Sequence, residues 1–371
     1  MTVIAASAVR TCFGDGRQTF ARLLAGDVGV GPLRFVDAGQ VNVKHGYQIP
    51  GDGDEPEFAA SEWLGECVAE VLAAAELSPR PGRMPVLVGT GLRELRAIER
   101  WAVENRPVRA RQLDFTEAVQ AVHPGLGPVI TVSNACSASG HALALAQDMV
   151  RHGMADAVIA AGADGVTASM LAMIGRVTEE PTDRVRPFDI DRTGVLLGEG
   201  AAAVVVVSAD SGASKPKPLG RLLGTHICCD AYHETAPSLE GIVRAMRGAL
   251  ADAARDPSDV DLVVSHGTGT ALNDVTEAEA IQQVLGDRPW VTGIKGALGH
   301  TSGASALMSL DVALRCLESD RIPPVAGLSR PVPEAQGLKL VTEPVHARSR
   351  VALVNSFGFG GVNAVTLVEA L

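Results

Sequence analysis

Four residue types that together can do thioester chemistry stand at the ends of apolar runs in this chain. Cys136 lies in "VSNACSASGHALALAQDMV", where a buried strand passes through small polar residues into an alanine-rich helix. A thiol at a helix N-terminus meets unpaired N–H groups and the positive end of the dipole, which favour a thiolate. His266 follows an apolar strand in "VDLVVSHGTGTALND" and turns through Gly267 and Gly269; strand ends of α/β folds are where ligand sites collect. In "GIKGALGHTSGAS", Lys295 and His300 flank a glycine turn, and "NSFGFGGVN" is a further strand-to-glycine turn able to aim an N–H at an oxyanion. Each piece alone also reads as structure: a small residue in a tight turn, a satisfied histidine, a surface lysine. Together they supply a nucleophile, two imidazoles, an ammonium and an oxyanion donor. His141, five residues after Cys136, lies off its helical face and reads as a packing residue.

The elements that must position these groups are legible as α/β layering. Short β-branched runs ("MPVLVGTG", "GPVITVSN", "ADAVIAAGAD", "RVALVNSFGFGG") alternate with alanine-rich helical stretches, the pattern of buried, largely parallel strands. A glycine turn feeds a strand twice, in "GEGAAAVVVVSA" and "GFGGVNAVTLVEA", which predicts two similar halves. The polar connector "ADSGASKPKPLG" puts their boundary near residue 212, so 1–212 carries the cysteine and 213–371 the His/Lys/His set. "PGDGDEPEFA" reads as an acidic surface loop, and "SEWLGECVAEVLAAAEL" as a packing helix.

With 371 residues, 46% apolar and 20% charged, the chain is composed like a globular protein. A formal charge of −11 argues against general binding to nucleic acid or anionic membranes, both of which need a positive footprint. Apolar runs stop near half of the ~20 residues a membrane helix needs, and the opening "MTVIAASAVRTCFGDG" reads as a strand rather than a signal peptide. The expected location is the cytoplasm. Six cysteines without CxxC spacing read as reduced thiols. Cys228 and Cys229, with His226 and His233 near them, invite a zinc reading. Adjacent residues of a strand point to opposite faces, so no metal site is expected.

In order and spacing, "NACSAS", "VRPFDIDRTGVLLGEGAA", "DAYHETAP", "SHGTGTALND", "GIKGALGHTSGA" and "NSFGFGGVN" resemble the β-ketoacyl-acyl-carrier-protein synthases of the elongating type, members of the thiolase superfamily. The resemblance implies a thiolase-like fold with a layered α-β-α-β-α core. It implies decarboxylative Claisen condensation of a Cys-bound acyl group with a malonyl thioester, both delivered on the phosphopantetheine of an acyl carrier protein, with no other cofactor. Cys136 would be the nucleophile, while His266 and His300 would promote decarboxylation and hold the enolate. Lys295 would set the electrostatics around His300. The N–H groups of Cys136 and Phe359 would form the oxyanion hole, with the Phe359 ring as a gate. Thr268 and Thr270 would contact the pantetheine arm, and His233, Thr235 and Asn363 would lie near the substrate tunnel. A homodimer, or a heterodimer with a related subunit, is implied.

The chain departs from the family in two places. Ser309 stands nine residues after His300, where bacterial fatty-acid synthases place a glutamate that pairs with the lysine; Glu277 or Asp274 is the expected substitute partner of Lys295. The family's basic segment in the first half is replaced by "DEPEFAASEWLGE", which leaves Arg184, Arg186, Lys215 and Lys217 as candidates for the patch that meets an acidic carrier. The shortened first half favours a specialised fatty-acid-like or polyketide pathway. An acyltransferase or malonyl decarboxylase, and a non-catalytic chain-length partner subunit, are the rival readings.

Overall fold

The computed structural model describes residues 1–51, 56–79, 82–176, 181–209 and 217–371. Ten strands frame it: β1 (Thr2–Thr11), β2 (Met84–Gly89), β3 (Leu126–Val132), β4 (Ala157–Asp164), β5 (Gly200–Ser208), β6 (Gly220–Cys229), β7 (Leu262–Val264), β8 (Trp290–Thr292), β9 (Val351–Gly358) and β10 (Val362–Glu369). The first half is ordered β3-β2-β4-β5-β1 and the second β8-β7-β9-β10-β6, so adding five to each strand of one half gives the other. In both halves the first two neighbour pairs are parallel and the last two antiparallel. The repeat expected from the two glycine-fed strands corresponds to β5 and β10, which hold the same place in the two halves. The boundary near residue 212 and Lys215 lie outside the described residues, as does part of the acidic loop.

The two sheets are not separate. β1 and β6 pair antiparallel through Thr2–Leu222, Val3–Arg221 and Ile4–Gly220, joining the halves along one margin. Five helices complete the layers: α1 (Ala59–Ala74), α2 (Ala138–Arg151), α3 (Leu239–Asp252), α4 (Ala271–Leu285) and α5 (Ser305–Ser319). α1 covers the outer face of the first sheet, and α3 covers that of the second with α4 packed on it. α2 and α5 pack on one another between the sheets, giving the α-β-α-β-α order. β4 is buried at every position and β5 at all but its last, which is why both read as unbroken apolar runs rather than alternating ones. α2 reaches both sheets because its buried positions include Ala138, Ala142, Ala144 and Ala146, whose small side chains permit close approach. No helix among the described residues is long and apolar enough to cross a membrane.

Candidate active site

The repeat brings two helix starts face to face. After β3 the chain enters a 3-10 turn, Ala135–Ser137, which carries Cys136 into α2. After β8 it passes Lys295 and His300 and enters the matching turn, Ser302–Ala304, before α5. Both turns open on a residue in the left-handed region, Ala135 at φ 60° and Ser302 at φ 47°, a conformation that costs a non-glycine residue roughly 1–2 kcal/mol. The two turns pack together. Gly303 also lets the 302–304 turn lie against the 90–91 segment that follows β2: a Cβ there would lie 2.5 Å from Gly91 N.

Asp164, at the end of β4, ties the 302–304 turn to the 90–92 segment, and the sequence reading missed it. One carboxylate oxygen accepts from Thr90 Oγ1 (2.6 Å) and Leu92 N (2.8 Å), the other from Gly91 N (2.9 Å) and Gly303 N (2.7 Å). Burial pushes its pKa up to about 6 while these donors pull it back, so it is ionised at neutral pH. The available signal was an aspartate ending an unbroken apolar run, the same strand-end placement that singled out His266.

His266, Lys295 and His300 form one buried cluster. The Lys295 Nζ lies 3.3 Å from His266 Nδ1 and donates to the His266 carbonyl at 2.5 Å. The two imidazoles meet edge to face at 5.4 Å between centroids, and Phe357 closes the other side of His266 at 5.5 Å. Burial first, then the Lys295 charge, holds both histidines well below the usual imidazole range, so both are neutral at pH 7. Burial lowers Lys295 to about 8, with Glu277 the largest opposing influence. An ammonium only donates, so His266 Nδ1 is the acceptor and its ring proton sits on Nε2. His300 Nδ1 is buried with no hydrogen-bond partner among the described residues.

The expected Lys295–carboxylate contact is corrected by the structure. Among the described residues neither Glu277 nor Asp274 forms an ion pair or hydrogen bond with Lys295. Glu277 accepts from His266 N (2.7 Å), Gly267 N (2.8 Å) and Asn355 Nδ2 (2.9 Å). Asp274 accepts from Phe188 N (2.7 Å) and from Thr268 N and Gly269 N (3.1 Å each). Their oxygens are spent on the main chain of the 266–269 turn, and they reach Lys295 only through the field, which raises its pKa against burial. Ser309, in the family's glutamate position, is buried with its hydroxyl unpartnered among the described residues. Asn355, inside the "NSFGFGGVN" motif but not singled out by it, braces Glu277.

Cys136 is buried, with its own N–H and that of Phe359 directed at the sulfur. Its carbonyl accepts from Ser356 Oγ at 3.1 Å, fixing the turn to β9. The helix-end preference for a thiolate is opposed by burial, which outweighs Lys295 and the two N–H groups and pushes the thiol up to about 11. The resting site thus holds a thiol beside two neutral imidazoles. Alkylation of Cys136 by iodoacetamide is expected to rise about tenfold per pH unit between pH 7 and 9, because the thiolate fraction does so below the pKa. Peptide mapping separates this residue from exposed Cys229; a rate flat across that range would show a preformed thiolate.

The remaining sequence candidates ring the site unevenly. The Thr268 and Thr270 hydroxyls bond each other at 2.9 Å. The Phe359 ring is half exposed, and Gly360 N donates to Glu234 O (2.8 Å), seating the 230–238 loop on this turn. On that loop His233 and Thr235 are exposed, with His233 Nδ1 accepting from Thr235 N and Ala236 N at 3.1 Å. Asn363 is buried and gives its amide to Asp230 at 3.2 Å. His141 is half-buried, its Nδ1 against Ser137 O at 3.1 Å. Cys228 is half-buried and Cys229 exposed, while His226 pairs with Asp252 at 2.9 Å.

Of the residues named for the basic patch, Arg184 and Lys217 are exposed, and Lys215 lies outside the described residues. Arg186 forks onto Asp183 at 2.5 and 2.8 Å, and the pair lowers Asp183 to about 2. Lys217 instead lines a cavity of about 280 Å³ with Ala5, Ser7, Asp311, Arg315 and Glu318, none of them part of the cysteine site.

Comparison with known proteins agrees with this geometry. The family described as β-ketoacyl synthase, N-terminal domain, matches residues 59–211, and that described as β-ketoacyl synthase, C-terminal domain, matches 219–329. Nodulation protein E of Rhizobium meliloti is 35% identical over 247 residues, 64% of this chain and 61% of that protein; the match thus spans less than two thirds of this relative's length. The 3-oxoacyl-[acyl-carrier-protein] synthase 2 of Synechocystis is 30% identical over 93% of this chain and 91% of its own. Among solved structures, "The ishigamide ketosynthase/chain length factor" superposes with a TM-score of 0.89 at 27% identity, covering 100% of this chain and 99% of that one. With both halves of its fold and a 30%-identical relative matched over nearly full length, the chain belongs to the β-ketoacyl synthase family.

Proposed function

We propose that the protein catalyses decarboxylative Claisen condensation between an acyl group held on Cys136 and a malonyl thioester, both delivered by an acyl carrier protein. The observation that carries this reading is the buried Cys136, within electrostatic reach of Lys295, on a turn that packs against the 302–304 turn directly after the buried His266–Lys295–His300 cluster. The Cys136 sulfur attacks the carrier thioester; the carrier's C–S bond breaks, and its thiol leaves with the proton lost by Cys136. The malonyl thioester then loses carbon dioxide, and the electron pair of the broken bond becomes an enolate. A neutral imidazole suits this step, since His266 Nε2–H can donate to the enolate oxygen without needing a charge of its own. The enolate carbon attacks the acyl carbonyl, and the N–H groups of Cys136 and Phe359 hold the oxyanion; each such donor is worth about 2.7–4 kcal/mol. Cys136 leaves as thiolate and takes up a proton from solvent, the one proton that the overall condensation consumes.

The carrier assignment draws on the name of the Synechocystis relative. The pairing expected here, with itself or with a related subunit, draws on the ketosynthase/chain length factor likeness. Thr268, Thr270, His233, Thr235 and Asn363 remain the proposed lining of the pantetheine path. A cytoplasmic setting fits six thiols that form no disulfide among the described residues, and a specialised fatty-acid-like or polyketide pathway is the proposed context. The test is intact-protein mass after incubation with acyl carriers. A single acyl adduct mapping to Cys136 and absent from Cys136→Ala is expected. No adduct across a broad acyl panel would favour the partner-subunit reading.

A further inference from the structure

Residues 196–199 run between two other pieces of main chain. On one side His300 N donates to Leu196 O (2.8 Å) and Gly198 N to His300 O (3.0 Å); on the other Tyr47 N donates to Leu197 O (3.0 Å) and Glu199 N to Tyr47 O (2.9 Å). His300 is thus the near member, and Tyr47 the far member, of a three-segment ladder. The Tyr47 side chain closes the same unit. Its hydroxyl donates to Gly296 O (3.2 Å) and accepts from Val185 N (3.0 Å). Its ring lies against Gly299, which has φ 70° and where a Cβ would come 2.5 Å from Tyr47 Cδ2. Tyr47 is fully buried and lies before the family match, which begins at residue 59.

We propose that Tyr47 is a positioning residue for condensation, setting the shape of the 295–300 turn and with it the placement of the Lys295 ammonium and the His300 ring. This rests on the function proposed above. The segment "KGALGH" is a single helical turn, Lys295–Leu298, closed by Gly299 N on Lys295 O (2.9 Å), and the chain leaves it through Gly299 at φ 70°. Tyr47 braces it at three points: a hydroxyl at Gly296, a ring at Gly299, and the ladder at His300. Glu199 anchors the ladder in turn, accepting from Ile49 N (3.0 Å) and Arg96 Nη2 (2.9 Å).

Tyr47→Phe removes one oxygen and keeps the ring. Condensation is expected to slow about tenfold, since small misplacements of reacting groups are costly, while acylation of Cys136 stays within about twofold. In protein labelled with ¹⁵N-histidine, the His300 imidazole correlations are expected to shift. Unchanged condensation with unmoved His300 signals would overturn the proposal and leave Tyr47 as core filling. Equal loss of acylation and condensation would do the same. A second measurement needs no variant and no activity: in hydrogen exchange of the unmodified protein, the amides of Tyr47, Gly198 and His300 are expected to open as one unit. Independent opening contradicts the inference, and it does so whether or not the protein condenses acyl chains.

Discussion

His300→Ala is expected to lower the rate of carbon–carbon bond formation by about 10²- to 10⁴-fold, the range for removing a group that donates to a developing charge, while the acyl adduct still forms on Cys136. The two half-reactions make different demands. Transfer between thioesters needs the sulfur and its two N–H groups, which come from the 135–137 turn and the Phe359 turn. Decarboxylation needs donors where the enolate forms, and the candidates, His266 and His300, both come from the second half of the fold. His300 meets that demand because it is buried, neutral at pH 7, and has a ring nitrogen with no partner among the described residues. Its main-chain N–H and C=O are both held by residues 196–198, at 2.8 and 3.0 Å, so truncating the ring leaves the turn in place. The check is adduct formation by intact mass alongside product release for the same variant. Loss of the adduct in a folded His300→Ala protein would assign the imidazole to thiol activation instead.

Asp164→Ala is expected to cost about 3–5 kcal/mol of folding stability, read as a lowered denaturation midpoint, because four donors lose one buried acceptor together. Gly91 N, Leu92 N, Gly303 N and the Thr90 hydroxyl all point at this carboxylate, and the close approach of the 302–304 turn to Gly91 leaves little room for water to replace it. Asp164→Asn keeps one acceptor oxygen but turns an amide N–H₂ toward donors, so an intermediate loss is expected. Acylation of Cys136 should fall with stability in both, since the 302–304 turn that packs on the Cys136 turn is anchored here. An Asp164→Ala stability within about 1 kcal/mol of the parent, well under the cost of leaving buried donors unpaired, would show that this carboxylate does not hold the 90–92 segment and the 302–304 turn together.

How far the sequence reached depended on whether a signal was local. The strand ends bearing Cys136, His266 and Lys295 were legible because an unbroken apolar run followed by glycine or small polar residues is a short-range pattern, and the doubled glycine-fed strand disclosed the repeat. Contacts across the chain left no such trace. Asp164 meets Gly303 139 residues later and Tyr47 meets Gly296 249 residues later, so nothing near either residue marks its partner. The protonation state of Cys136 was not legible for a related reason: helix-end geometry is local and favours the thiolate, whereas burial depends on the whole assembled core and outweighs it. Lys295 was assigned a carboxylate because an isolated buried ammonium is costly. The structure meets that cost with the His266 carbonyl and ring, and commits the carboxylates to the turn's main chain.

The most direct test of the central claim is to supply an acyl carrier and a ¹³C-labelled malonyl carrier together, and to count released carbon dioxide against 3-oxoacyl product. Condensation predicts one of each per turnover, with product two carbons longer than the acyl donor and none from Cys136→Ala. Carbon dioxide without extended product, or an adduct on Cys136 that malonyl carrier never consumes, would contradict it.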